Sequence, residues 1–264
     1  MTSDPNPPSL PSPGSSPASP PPPPLPPRPS PTAAPVPASP IDTLAREPLD
    51  GPADLGRVFE AVLRRPGRIL HALAGGSAGV AVWLGLLLIA GLALFGFLLG
   101  TFSGGTQLWA APVKIVLGIV ASGLICLPSF YIFLCLGGAS VRLKEACGLL
   151  LTGLALTSLL LMALAPVVWL FAQATASTGF MGVLALAFWL VAIGFGLRLI
   201  LHGARLSGAT STGLLATWAL IFLTVTLQMS TTLRPILGTA DRLLPGERRF
   251  FLEHWAHALG DNRP

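Results

Sequence analysis

The chain of 264 residues is 52% hydrophobic and only 10% charged, with a formal net charge of +5 and a mean hydropathy of +0.71. A water-soluble globular domain carries charge on roughly a quarter of its residues, so this composition excludes that class. The basic excess forms no cluster interleaved with aromatics and no recognition helix. That excludes nucleic acid as a partner and leaves membrane topology as the explanation of the charge.

Residues 1–45 are dominated by Pro, Ser and Ala and hold too few large apolar side chains to offset the entropy of ordering. They are expected to form a disordered, Pro-rich cytoplasmic tail with polyproline II stretches. Pro23, Pro26 and Arg28 match the PxxPxR spacing of Src-homology-3 ligands, although a plain flexible spacer accounts for the same composition. The opening residues show neither the basic n-region nor the apolar h-region of a secretory signal.

Residues 46–76 read as a cytoplasmic juxtamembrane segment. Leu55, Val58, Phe59, Val62 and Leu63 recur at helical spacing, with Arg57, Glu60, Arg64 and Arg65 on the other side, which predicts an amphipathic helix. Asp54 is placed to cap it. Pro66-Gly67 should break it before a second short piece with Ile69, Leu70 and Leu73. Such a helix either lies among lipid headgroups or packs its apolar face on the underside of the bundle.

Between Ser77 and Leu233 the only formal charges are Lys114, Arg142, Lys144, Glu145, Arg198 and Arg205. The intervening apolar runs are long enough to cross a ~30 Å hydrocarbon layer as helices of roughly 20 residues. The fold class is therefore an all-α membrane protein, a bundle of five transmembrane helices within residues 77–234. The spans are expected near 78–101, 114–136, 147–171, 180–201 and 213–233, flanked by interfacial amphipathic helices. Pro128 and Pro166 fall inside the second and third spans, where each removes a backbone hydrogen bond and is expected to bend the helix. Gly96 and Gly100, and then Gly118, Ser122 and Cys126, place small residues along single faces, which suits close packing inside the bundle.

The Lys/Arg bias sets orientation. Arg57, Arg64, Arg65 and Arg68 precede the first span, Arg142 and Lys144 lie between the second and third, and Arg198 and Arg205 lie between the fourth and fifth. The opposite connections offer only Lys114. The N-terminus is thus expected in the cytoplasm and the C-terminus outside, in a cell inner membrane. Residues 235–264 are expected to carry an extracytoplasmic interfacial helix from about Gly246 to Leu259, with Phe250, Phe251 and Trp255 as membrane-interface anchors.

No ionisable group is expected near mid-membrane. The candidate structural or polar-path positions are Pro128, Ser129 and Tyr131 in the second span, Thr157 and Ser158 in the third, and Gln228 in the fifth. Such groups ordinarily hydrogen-bond between helices. His254 and His257 share a helix face but are too few for a metal shell, and no cofactor is expected. Cys126, Cys135 and Cys147 form no CxxC pair and read as small packing residues, with acylation of Cys147 as the alternative. No catalytic motif is found, so no enzyme activity is expected.

Three stretches resemble, in order, the LPSxY, LRPxxG and FFE-type signatures of an uncharacterised family of bacterial multi-pass inner-membrane proteins. They are Leu127-Pro128-Ser129-Phe130-Tyr131, Leu233-Arg234-Pro235-Ile236-Leu237-Gly238 and Phe250-Phe251-Leu252-Glu253, the last with an extra Leu before Glu253. The five-span layout is also similar, more distantly, to the Yip family. The resemblance implies an inner-membrane protein of unknown activity. The leading expectation is a non-enzymatic scaffold or assembly factor with the lipid bilayer and membrane or cytoplasmic proteins as partners. Its rival is a small transporter or channel subunit using the Pro128 region.

Overall fold

The computed structural model describes residues 51–105 and 107–232, all of whose regular structure is helical. The tail and the motif positions Arg234, Pro235, Gly238, Phe250, Phe251, Glu253 and Trp255 lie outside the described residues, as does the helix expected over 246–259.

Two short helices come first, α1 (Leu55–Arg64) and α2 (Pro66–Ala74). The break is where the proline puts it: Pro66 opens α2, and Arg65 between the two helices has φ −142° and ψ 62°. Asp54 stands at the N-cap of α1 in extended conformation, but its side chain makes no capping bond. Its backbone carbonyl instead accepts from Val58 N at 3.0 Å. The apolar side of α1 is divided. Val58, Ala61 and Val62 are buried with Ile69 and Leu73 of α2 against the bundle, whereas Leu55, Phe59 and Leu63 stay exposed. Trp83 Nε1 holds the approach to α1 by donating to Ala53 O at 3.1 Å.

Five long apolar helices follow, α3 (Ala78–Ser103), α4 (Gln107–Leu136), α5 (Leu143–Ala174), α6 (Thr178–Leu206) and α7 (Thr212–Thr232), each long and apolar enough to cross a bilayer. The chain is therefore a multi-pass membrane protein in contact with lipid. The helices overrun the expected spans at most ends, because apolar content marks the hydrocarbon layer while the backbone ladder continues beyond it. The largest extension is at α4, which starts at Gln107, so Lys114 lies inside the helix and not in the preceding connection. The helices continue through Pro112, Pro128 and Pro166.

Helix α5 is central, packed on α3 and α6 and carrying α2 at one end; α4 packs mainly on α3 and touches α5 less, and α7 leans on α4. Glycines bring the backbones together. A Cβ on Gly91 would sit 2.8 Å from the carbonyl oxygen of Ser158, one on Gly96 would sit 2.6 Å from Pro112 Cα, and one on Gly196 would sit 2.7 Å from Gly153 O. Without the hydrophobic effect to press helices together in lipid, these close approaches supply the van der Waals contact.

The helix ends reuse one turn. At the ends of α2, α4 and α6 a glycine takes positive φ (Gly76 83°, Gly138 94°, Gly208 97°). The next amide closes a bond to the carbonyl five residues back: Ser77 to Ala72 at 3.0 Å, Ala139 to Leu134 at 3.0 Å and Ala209 to Ala204 at 3.1 Å. This is the Schellman arrangement, which satisfies terminal carbonyls and needs a residue without a Cβ penalty. Because consecutive spans alternate in direction, all three turns fall at the end of the bundle that carries α1 and α2. Two of them touch, Thr210 N donating to Gly137 O at 2.9 Å.

Candidate functional site

The Pro128 region is where α4 receives α7. Pro128 has no N–H to give, and it faces outward from the bundle. Two residues earlier, the carbonyl of Cys126 accepts two donors, Ser129 Oγ at 2.8 Å and Trp218 Nε1 at 3.3 Å. Phe130 and Trp218 are both fully buried, with ring centroids 4.3 Å apart, and Phe222 continues the row 5.4 Å beyond Trp218. Tyr131, next in the motif, is half-buried against the same core. The LPSFY stretch thus builds a docking surface for α7. Trp218 and Phe222 were missed from sequence, since in a span apolar all round no periodicity marks the buried face.

Thr157 and Ser158 are adjacent on α5 and serve two different contacts. Thr157 Oγ1 donates to Gly153 O at 3.0 Å beside the close approach of Gly196 on α6. Ser158 Oγ lies 2.8 Å from Ala155 O and 3.2 Å from Leu87 O of α3, opposite Gly91. The remaining buried hydroxyls repeat the pattern: Ser122, Thr152 and Thr226 each donate to the carbonyl four residues back at 2.7–2.8 Å. Ser129 belongs to the α4–α7 contact, so the structure does not gather it with Thr157 and Ser158.

Gln228 is half-buried on α7. The antiparallel register that sets Trp218 on Cys126 puts Gln228 at nearly the same height as Lys114 of α4, which is only 4% exposed. A buried lysine inside a span is a feature that sequence reading placed in a loop. Among the described residues no three His, Cys, Asp or Glu side chains converge as a metal site would require.

The other polar feature lies between α6 and α7. Although consecutive in the chain, these helices touch at few points. They leave a cleft of about 460 Å³ lined on α6 by Gly194, Leu197, Arg198, Leu201, His202 and Arg205, and on α7 by Ala219. The opposite face of α6, with Ala192, Ile193, Gly196, Ile200 and Gly203, is buried in the bundle. Compared with protein-family models, curated proteins and solved structures, the chain matches none.

Proposed function

We propose that this is a non-enzymatic scaffold or assembly factor of a cell inner membrane, with its N-terminus in the cytoplasm and its C-terminus outside. The observation that carries the reading is the use made of the buried hydroxyls. Ser122, Thr152, Thr157, Ser158 and Thr226 are each bonded to a helix carbonyl, at distances from 2.7 to 3.0 Å. They are divided among separate helix contacts, so they stiffen crossings and do not line a common path. A carrier needs polar groups that exchange partners with its solute, and these are already engaged with the backbone.

The orientation rests on the basic side chains. Arg57, Arg64, Arg65, Arg68, Arg142, Lys144 and Arg205 collect at the end bearing α1, and cytoplasmic ends of membrane bundles carry that excess. Reporter fusions after Arg142, Ala176, Leu206 and Pro264 test it. The fusions after Arg142 and Leu206 should report cytoplasm and the other two should not; cytoplasmic signal at both Ala176 and Pro264 rejects the orientation.

The scaffold reading is tested by reconstituting the full chain into vesicles and following ion and small-solute release, alongside crosslinking in native membranes. Release no faster than from empty vesicles, with a crosslinked partner of fixed stoichiometry, is the expected result. Saturable solute flux overturns it in favour of a transporter.

A further inference from the structure

The cleft between α6 and α7 combines three properties. First, it is basic on one wall: Arg198, His202 and Arg205 follow one another at i, i+4 and i+7, so they project from one face of α6 into the same space. Second, its floor is apolar, formed by Leu197 and Leu201, with Gly194 at the deeper end where a Cβ would meet nothing within 4 Å. Third, among the described residues no carboxylate pairs with either arginine. The carboxylates among the described residues are Asp54, Glu60 and Glu145. Glu60 lies 3.7 Å from Arg64, Glu145 accepts from the backbone N of Arg142 at 2.9 Å, and no ion pair joins a described carboxylate to Arg198 or Arg205.

Depth selects the occupant. With about 1.5 Å of rise per residue, α6 is roughly 43 Å long and overruns a ~30 Å hydrocarbon layer at both ends. Arg205 then stands at headgroup level. Arg198, seven residues earlier, starts roughly 10 Å deeper and reaches the same level only by extending its side chain along the cleft. At that level the planar fork of a guanidinium matches a phosphate with two parallel hydrogen bonds. A free anion does not explain the apolar floor below the arginines, whereas a lipid acyl chain does.

We propose that the cleft binds an anionic phospholipid from the leaflet on the basic side. Arg198 and Arg205 hold the headgroup phosphate, His202 donates a further hydrogen bond, and one acyl chain runs over Leu201 and Leu197 to Gly194. This holds whichever compartment that side faces, so it stands or falls apart from the proposed orientation. The lipid also fills the gap that separates α6 from α7, completing a surface that the protein leaves open.

The test uses the full chain in nanodiscs of phosphatidylcholine carrying a small fraction of labelled phosphatidylglycerol, with retained lipid read by native mass spectrometry. The expected result is selective retention of one phosphatidylglycerol. Retention should fall at least roughly tenfold in the double variant Arg198→Gln, Arg205→Gln, since each loses a charged hydrogen-bonding partner of the phosphate. Gly194→Leu adds bulk only in open space and serves where the double variant fails to fold. It should displace the acyl chain and weaken lipid retention with unchanged thermal stability. Inorganic phosphate up to tens of millimolar should compete poorly; if it displaces the lipid fully, the site is a simple anion site and the lipid assignment fails. Equal retention of phosphatidylcholine and phosphatidylglycerol, or undiminished retention in both variants, also overturns the proposal.

Discussion

Replacing Trp218 by Ala tests what holds α7 to the bundle. Trp218 is 0% exposed, sits between Phe130, tilted against it, and Phe222, stacked on it, and donates to Cys126 O. In a soluble core the change costs about 3–5 kcal/mol, part of it from transferring the ring to water. That part drops out here, because a separated α7 still faces lipid. What remains is the void, two ring contacts of about 0.5–1.5 kcal/mol each, and an interhelical hydrogen bond of about 0.6 kcal/mol. The expected loss is about 2–4 kcal/mol, against about 1 kcal/mol for Trp218→Phe, which keeps an aromatic ring and loses the indole bond. Cys126 provides a local readout, being 2% exposed beneath the indole. With Cys135 and Cys147 changed to Ser, thiol labelling of Cys126 in mild detergent should accelerate by roughly thirtyfold or more for Trp218→Ala, the factor equivalent to about 2 kcal/mol of easier opening. Detergent-unfolding midpoints within about 0.5 kcal/mol of wild type, with Cys126 still protected, would show that the aromatic row does not hold α7.

The transmembrane architecture was legible because length and apolarity alone define a span, and the five runs could not have been anything else at this charge density. The break at Pro66 was legible for an equally local reason, the missing N–H of proline and its restriction of Arg65. Helix ends were not. Lys114 and Arg198 read as markers of the water boundary, yet both sit within helices, Lys114 with its side chain buried and Arg198 with a stem long enough to reach back to the headgroups. Apolarity reports the solvent around a helix and says little about where its hydrogen-bond ladder stops.

Side-to-side arrangement was still less accessible. Every span is apolar around its circumference, so no moment distinguishes the face of α7 that meets α4 from the face that meets lipid. Although only a short connection separates α6 from α7, α7 follows the aromatic row on α4 and leaves Arg198, His202 and Arg205 lining a gap. The small residues were the better guide. Gly96 does meet another backbone, at Pro112, and Ser122 and Cys126 are buried as their spacing suggested.

Three further outcomes are expected. Gly91→Ala should destabilise the bundle by about 1–3 kcal/mol in detergent melting, because its Cβ meets Ser158 O at 2.8 Å, whereas Gly194→Ala should be neutral with nothing within 4 Å. Ser158→Ala should cost about 0.6 kcal/mol through its bond to Leu87 of α3, and Thr157→Ala less, because its hydroxyl bonds only its own helix. The paired turns make the third case. Gly138→Ala and Gly208→Ala each force a Cβ into left-handed backbone, at φ 94° and 97°, and should cost about 1–2 kcal/mol apiece. A turn that relaxes loses its own closing bond and also displaces the bond from Thr210 N to Gly137 O, which joins the two connections. Once one substitution has broken that shared bond the other has less to lose, so the double variant should cost less than the two singles added, by about 0.5 kcal/mol or more. Gly76 closes α2 with the same turn, at φ 83°, but a Cβ there meets nothing within 4 Å. Gly76→Ala combined with Gly208→Ala should therefore be additive; equal additivity in both pairs would mean that the contact between the 137–142 and 207–211 connections contributes nothing to holding the spans in place.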